Sequence, residues 1–239
     1  MAKYKIADVV VDMEIRSSYL IGLCADFEYC GNEPSDFTLE ISKADLRAQH
    51  EKYPQRSFGQ AESSIVFNKL GRYLLENKRG LIFHSSAVAV DGCAYLFTAH
   101  SGVGKSTHAR LWRELLGNKA LMVNDDKPML TLEDGKVYVN GTPWQGKHNL
   151  GNNVKVPVKA ICSVERGREN LIEHATPSEM AVTVLQQTVR PDDGKTMSLL
   201  LELIDTVLSR VDLYKLKCTP SLESARLSYT TMSGEKHEN

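Results

Sequence analysis

Ala99-His100-Ser101-Gly102-Val103-Gly104-Lys105-Ser106-Thr107 decides how this chain is read, because it joins a β-type run, Cys93 to Phe97, to a helical one over residues 105–116. With Ala99 in place of the first glycine, it matches the phosphate-binding loop (P-loop) pattern, in which a strand enters a tight turn and a helix leaves it. Such a loop turns its backbone N–H groups inward while the helix N-terminus aims its partial positive charge at the same point. Gly102 and Gly104 permit backbone conformations and a close approach that side chains would obstruct. On this reading Ser101, Gly102, Val103, Gly104, Lys105, Ser106 and Thr107 bind a nucleotide, Lys105 reaches its β- and γ-phosphates, and the Ser106 hydroxyl ligates Mg²⁺. The alternative is a Gly/Ser-rich turn that happens to precede a helix, and the order of strand, loop and helix argues against it.

Upstream, Leu81 to Val90 and Cys93 to Phe97 flank Asp91-Gly92, a strong signal for a two-residue hairpin turn. If Val90 faces Cys93 and no bulge intervenes, the register places His84 opposite Ala99, at the loop mouth. Its competing reading is a hydrogen-bonded core histidine. His100 and His108 read as incidental. Downstream, Leu111, Leu115 and Leu116 make the helix amphipathic, Gly117 ends it, and a strand, Ala120 to Val123, runs into Asn124-Asp125-Asp126. If that strand lies parallel to Cys93–Phe97, both C-terminal ends share the sheet edge where ligands bind in open α/β folds. Neighbouring strand residues point to opposite faces, so one carboxylate could hold the metal while the other accepts a proton. A solvated acidic turn before Lys127-Pro128 is the rival. Asp134-Gly135 marks a second hairpin whose register puts Pro143 opposite Asp126, so the loop Gly141 to His148 emerges beside the site. Lys147 and His148 thereby become candidate substrate contacts, against the reading that they are ordinary solvated side chains.

Farther out, Tyr4 to Val11, Ser18 to Leu23 and Phe37 to Ile41 read as short β segments around the turn cluster 31–35. A helix is expected over Glu62 to Asn77, others over Pro177 to Thr188 and Lys195 to Ser209, a strand over Leu213 to Lys217, and a last helix from about Ser221. This divides the chain into a small β-rich N-terminal part (1–60), the P-loop domain (61–232) and a disordered tail (233–239). The 239 residues carry 29 Lys+Arg against 30 Asp+Glu for a net charge of −1, which makes nucleic acid a poor default partner. The apolar runs fall far short of the ~20 residues of a membrane span, so no membrane association is expected. The start of the sequence lacks the apolar run of a signal peptide, and the five scattered cysteines, Cys24, Cys30, Cys93, Cys162 and Cys218, suggest reduced thiols and a cytoplasmic location.

Taken together, Phe83-His84-Ser85-Ser86-Ala87-Val88, the loop Ala99 to Thr107 and Val123-Asn124-Asp125-Asp126 resemble the catalytic domain of HPr kinase/phosphorylase, a relative of phosphoenolpyruvate carboxykinase. The likeness covers residues 81–130 well and Leu213 to Tyr229 loosely. It implies an α/β fold with a P-loop, HPr kinase/phosphoenolpyruvate carboxykinase-like mixed sheet and flanking helices. It also implies a Mg²⁺-dependent kinase that moves the γ-phosphoryl group of ATP to a hydroxyl, a serine in the nearest parallels, on a peptide, protein or small molecule. By that resemblance Asp125 is the base and His84 the active-site histidine, leaving Asp126 beside Ser106 on the metal side. The chain departs from the family at Ser85, where a glycine is usual. No acidic residue lies between Asp134 and Glu165 to match the family's downstream metal-binding glutamate, and the N-terminal part is unlike the family's. HPr serine kinase/phosphorylase itself and a non-catalytic nucleotide-binding regulator are the rival readings. GTP or pyrophosphate as donor, and a homo-oligomer, stay open.

Overall fold

The structure, a computed structural model, describes residues 1–77 and 79–234. The N-terminal stretch forms a hairpin, β1 (Ala2–Ile6) and β2 (Val9–Met13), joined in parallel by β3 (Phe37–Leu39), with helices α1 (Ser18–Cys24) and α2 (Lys43–Lys52). It rests on α3 (Phe58–Glu76), whose Ile65, Val66, Leu70 and Leu74 share one buried cluster with Ile6, Val9, Val11, Leu20 and Leu39. Two expectations are corrected here. Tyr4 to Val11 is two strands, because Ala7 and Asp8 both adopt positive φ (+52° and +59°) and turn the chain. Ser18 to Leu23 is helical. Ser17 caps α1, and the buried Glu62 carboxylate of α3 accepts hydrogen bonds from the backbone N–H groups of Arg16 and Ser17 and from Ser17 Oγ, which fixes the start of the helix.

Beyond α3 follow β4 (Gly80–Ile82), β5 (Ser86–Val90), β6 (Cys93–Thr98), α4 (Lys105–Leu116), β7 (Ala120–Asn124), β8 (Met129–Glu133), β9 (Lys136–Asn140) and β10 (Lys155–Arg166). Then come β11 (Leu171–His174), α5 (Pro177–Gln186), α6 (Gly194–Leu208), β12 (Asp212–Cys218) and α7 (Leu222–Ser233). The strands form one curled mixed sheet in the order β4-β8-β9-β10-β6-β5-β7, with β12 also beside β10 and β11 beside β12. Along β6, Ala94 and Leu96 enter one core with α5 and α6, while Tyr95 and Phe97 enter the other with α4 and α7. This two-residue alternation, apolar on both faces, is that of a strand covered by helices on both sides.

Both hairpins hold the expected register: Val90 pairs with Cys93, Glu133 with Lys136, and Asp91, Gly92, Asp134 and Gly135 all take positive φ. β6 and β7 each pair antiparallel with β5, so they run parallel to one another with β5 inserted between them. The expected strand Leu81 to Val90 is broken. Its first part leaves β6 to pair with β8, and Phe83–Ser85 crosses between the two halves of the sheet. His84 is therefore not a ladder partner of Ala99. Ser233, expected in the tail, is the last residue of α7, and residues 235–239 of the expected tail lie outside the described residues.

Candidate functional site

The C-terminal ends of β6 and β7, the N-terminal end of β5 and the crossing segment Phe83–Ser85 converge on one edge of the sheet. From β6 the chain enters the loop, where Gly102 (φ +80°) and Gly104 (φ +136°) take conformations that disfavour any side chain, although the space around both is open. Their role is conformational. α4 starts at Lys105 without a side-chain cap, so its first N–H groups remain available to a ligand. Lys105 is buried and donates from Nζ to the Ala99 carbonyl at 2.9 Å. Burial pushes its pKa down, the charge of Lys127 adds to that, and the Asp126 and Asp125 carboxylates pull it back up, so all four groups share one field.

Asn124, fully buried at the end of β7, organises the aspartates. Its Oδ1 accepts from the backbone N–H groups of Asp126 and Lys127, both at 2.9 Å, and its Nδ2 donates to the carbonyl and hydroxyl of Thr142. Asp125 accepts a 2.6 Å hydrogen bond from Ser86 Oγ on β5. Asp126 faces His84 Nε2 at 3.2 Å and Lys127 Nζ at 3.7 Å. Burial alone would push the Asp126 carboxyl up. The His84 hydrogen bond and the charges of Lys127 and Lys105 outweigh it and hold the group below the usual carboxylate range. Lys127 is itself pushed down by burial, with Asp126 opposing.

His84 is held through its backbone. Its N–H donates to the Gln187 carbonyl at 2.7 Å, and its carbonyl accepts from Thr98 Oγ1 at 3.2 Å. The neighbouring Ser85 N–H donates to the Asp126 carbonyl, while the buried Ser85 hydroxyl has no partner among the described residues. The loop after β9 reaches the site beyond the end of the ladder, whose last pair is Met129 with Asn140, so Pro143 and Asp126 are not ladder partners. Thr142 Oγ1 donates to the Lys127 carbonyl at 2.7 Å and Lys127 N–H to Trp144 O at 3.2 Å. A Cβ on Gly146 would stand 3.2 Å from Asp126 Cβ, which places this loop against the aspartates, and the adjacent Lys147 and His148 are exposed at its tip.

Ser101 and Ser106 are exposed, while Val103 and Thr107 are half-buried on the same loop and first helical turn. Beside them opens a cleft of about 460 Å³, walled by Thr107 and Leu111 of α4, Val164 and Arg166 of β10, and Cys218 and Pro220. The oxygens of Ser106 and the aspartates are hard donors suited to Mg²⁺, which takes one or two protein ligands and completes its shell with water and phosphate oxygens. Among the described residues no cluster of three or more His, Cys, Asp or Glu side chains could hold a metal without such help.

Ser86, Asn124, Lys127, Thr142 and Arg166 belong to this region and were missed in the sequence. Lys127 had a local signal in its place directly after the aspartates. Asn124 had one too, in its reach to the backbone N–H groups two and three residues on, whereas Ser86, Thr142 and Arg166 act through partners at least 15 residues away.

No family model matches the sequence, and no curated protein matches it. Among solved structures the chain is similar to the Hpr(Ser) kinase/phosphatase from Coxiella burnetii, with 12% identity and a TM-score of 0.35 over 64% of this chain and 94% of that one.

Proposed function

We propose that this protein is a Mg·ATP-dependent phosphotransferase that moves the γ-phosphoryl group to a hydroxyl, a serine or a similar alcohol on a peptide, protein or small molecule. The observation that carries this reading is the facing of two charge sets across one sheet edge. Lys105 and the open start of α4 lie on one side, and the aspartate pair with His84 and Lys127 lies on the other. In this scheme Lys105 leaves the Ala99 carbonyl for the β- and γ-phosphates, and the loop N–H groups from Ser101 to Thr107 cradle the chain. Ser106 and Asp126 would hold Mg²⁺, which neutralises phosphate charge when bound. A carboxylate held below its usual pKa is a poor proton acceptor and a good fixed anion, which suits Asp126 to the metal side. Asp125 then takes the acceptor proton as the acceptor oxygen bonds to the γ-phosphorus and the bond to the β-phosphate oxygen breaks. Lys127 offsets the negative charge gathered beside it. Lys147 and His148, at the tip of the loop against Asp126, are proposed to meet the acceptor.

The test is a Mg²⁺ titration of transfer rate for Asp125→Asn and Asp126→Asn, with nucleotide affinity measured separately. Asp125→Asn should keep Mg·ATP affinity within a few-fold and lose at least ~10² in rate. Asp126→Asn should need more Mg²⁺ for half-maximal rate and recover partly at excess metal. Rescue of the first variant and not the second swaps the roles, and near wild-type rates in both defeat the mechanism.

A further inference from the structure

Arg166 is the last residue of β10, the strand that runs parallel to β6 and so brings its end beside the phosphate loop. Its Nη2 donates to the Gly102 carbonyl at 2.6 Å and its Nε to the Val103 carbonyl at 3.2 Å. A loop that turns its N–H groups toward an anion must turn consecutive carbonyls the other way, and the planar guanidinium fork is shaped to take two such oxygens at once. The residue is itself well placed for this. It pairs with Cys218 of β12, and the next N–H, of Gly167, donates to the Cys218 carbonyl at 2.9 Å. Gly167 makes this close turn possible, since a Cβ there would lie 2.6 Å from Lys217 Cγ.

Within the loop the other ties are the Val103 N–H to the His100 carbonyl at 3.3 Å and the Lys105 ammonium to the Ala99 carbonyl. The second is lost when Lys105 turns to a phosphate. The fork on Gly102 and Val103 involves no group the ligand needs, so it can hold the loop in both states.

We propose that Arg166 is a positioning residue for the phosphate loop, pinning the Gly102 and Val103 carbonyls outward so that the loop N–H groups stand ready for a polyphosphate. The inference rests on the phosphate-loop reading above and adds that loop order is supplied from β10, 63 and 64 residues along the chain from the carbonyls it holds. It concerns the polyphosphate part of the ligand and not the nucleoside, although Arg166 also lines the cleft beside the loop.

Calorimetric titration of the wild type, Arg166→Ala and Arg166→Lys with Mg·ATP and with Mg·tripolyphosphate tests this, alongside thermal melting. Arg166→Ala should weaken both ligands by about tenfold, the value of a charge-assisted hydrogen bond, and leave the melting temperature nearly unchanged because the side chain is exposed. Arg166→Lys keeps the charge but cannot fork, so it should recover less than half of the loss on a logarithmic scale. Weakened ATP with unchanged tripolyphosphate would assign Arg166 to the nucleoside and overturn the proposal. Full recovery by lysine would reduce it to a point charge and overturn it equally. Should Arg166→Ala fold poorly, wild-type affinity for both ligands in Arg166→Lys overturns the proposal and a several-fold loss for both supports it. A wild type that binds neither ligand overturns the phosphate-loop reading and this inference together, whereas a wild type that binds and an Arg166→Ala variant that binds equally well overturn only the role of Arg166.

Discussion

His108, which lies three residues into α4 and reads in the sequence as incidental, is structural, and burial fixes its protonation. Ser228 Oγ accepts from Trp112 Nε1 and is hydrogen-bonded to His108 Nε2, each at 2.8 Å. Burial pushes the His108 pKa down to about 4, so the ring is a neutral imidazole at neutral pH. In the unfolded chain the ring takes a proton near pH 6.5, so between these values the unfolded state binds more protons and stability falls as pH falls. The loss from pH 7 to pH 4 should be on the order of 3 kcal/mol from this group, and His108→Gln, which keeps a donor and does not titrate, should flatten it. Urea unfolding of both proteins at pH 7, 5.5 and 4.5 reads this directly; equal slopes would mean that His108 is protonated in the fold. Asp126 and His84 show the opposite use of a polar side chain. They stay partly open to solvent and are paired with each other.

At the scale of elements, α1 depends on a residue 45 positions away. Glu62 is fully buried, and its two oxygens accept from Arg16 N–H, Ser17 N–H and Ser17 Oγ at 2.5–2.9 Å. Charged acceptors of this kind contribute more than neutral ones, and their removal leaves buried donors unpaired. Glu62→Ala should therefore cost about 3 kcal/mol in chemical denaturation and release protection of the α1 amides in hydrogen exchange. A cost under about 0.5 kcal/mol would show that water replaces the carboxylate. The hairpins β5–β6 and β8–β9 show the contrasting case. Their turns need only a residue able to take positive φ followed by glycine, so Asp91-Gly92 and Asp134-Gly135 specify them within two residues.

Across the whole molecule, Trp144 ties the loop beside the aspartates to α3 and through it to the N-terminal sheet. Its Nε1 donates to Ser63 Oγ at 2.9 Å, and its ring meets Phe67 edge-on with centroids 4.9 Å apart. Trp144→Ala should lower the melting temperature by about 5 °C, from ~2 kcal/mol of lost packing and hydrogen bonding in a chain of this size. It should also reduce acceptor transfer several-fold while leaving nucleotide affinity within twofold, because the loop contacts the aspartate side of the site and not the phosphate loop. Equal losses on both sides would show that the whole edge, and not the loop alone, has shifted.

Local backbone rules determined much of this protein from its sequence. The glycine spacing of residues 99–107, the two Asp-Gly turns and the helices α4, α5 and α6 each depend on sterics within a few residues, and these form within two residues of where the sequence places them, whereas α1 and α2 were not read as helices. β10 was invisible at that level. Its Lys155–Arg166 run begins with Pro157 near one end, carries no regular alternation of polar residues, and is a strand because β6 and β12 cover its two edges. The meeting of His84 with Asp126 was likewise undecided, since the simple hairpin register carried His84 toward Ala99. Only the transfer of β4 to β8 breaks that strand and turns the crossing segment to the aspartates, and burial over the whole sheet, not local preference, chooses the partner of β4.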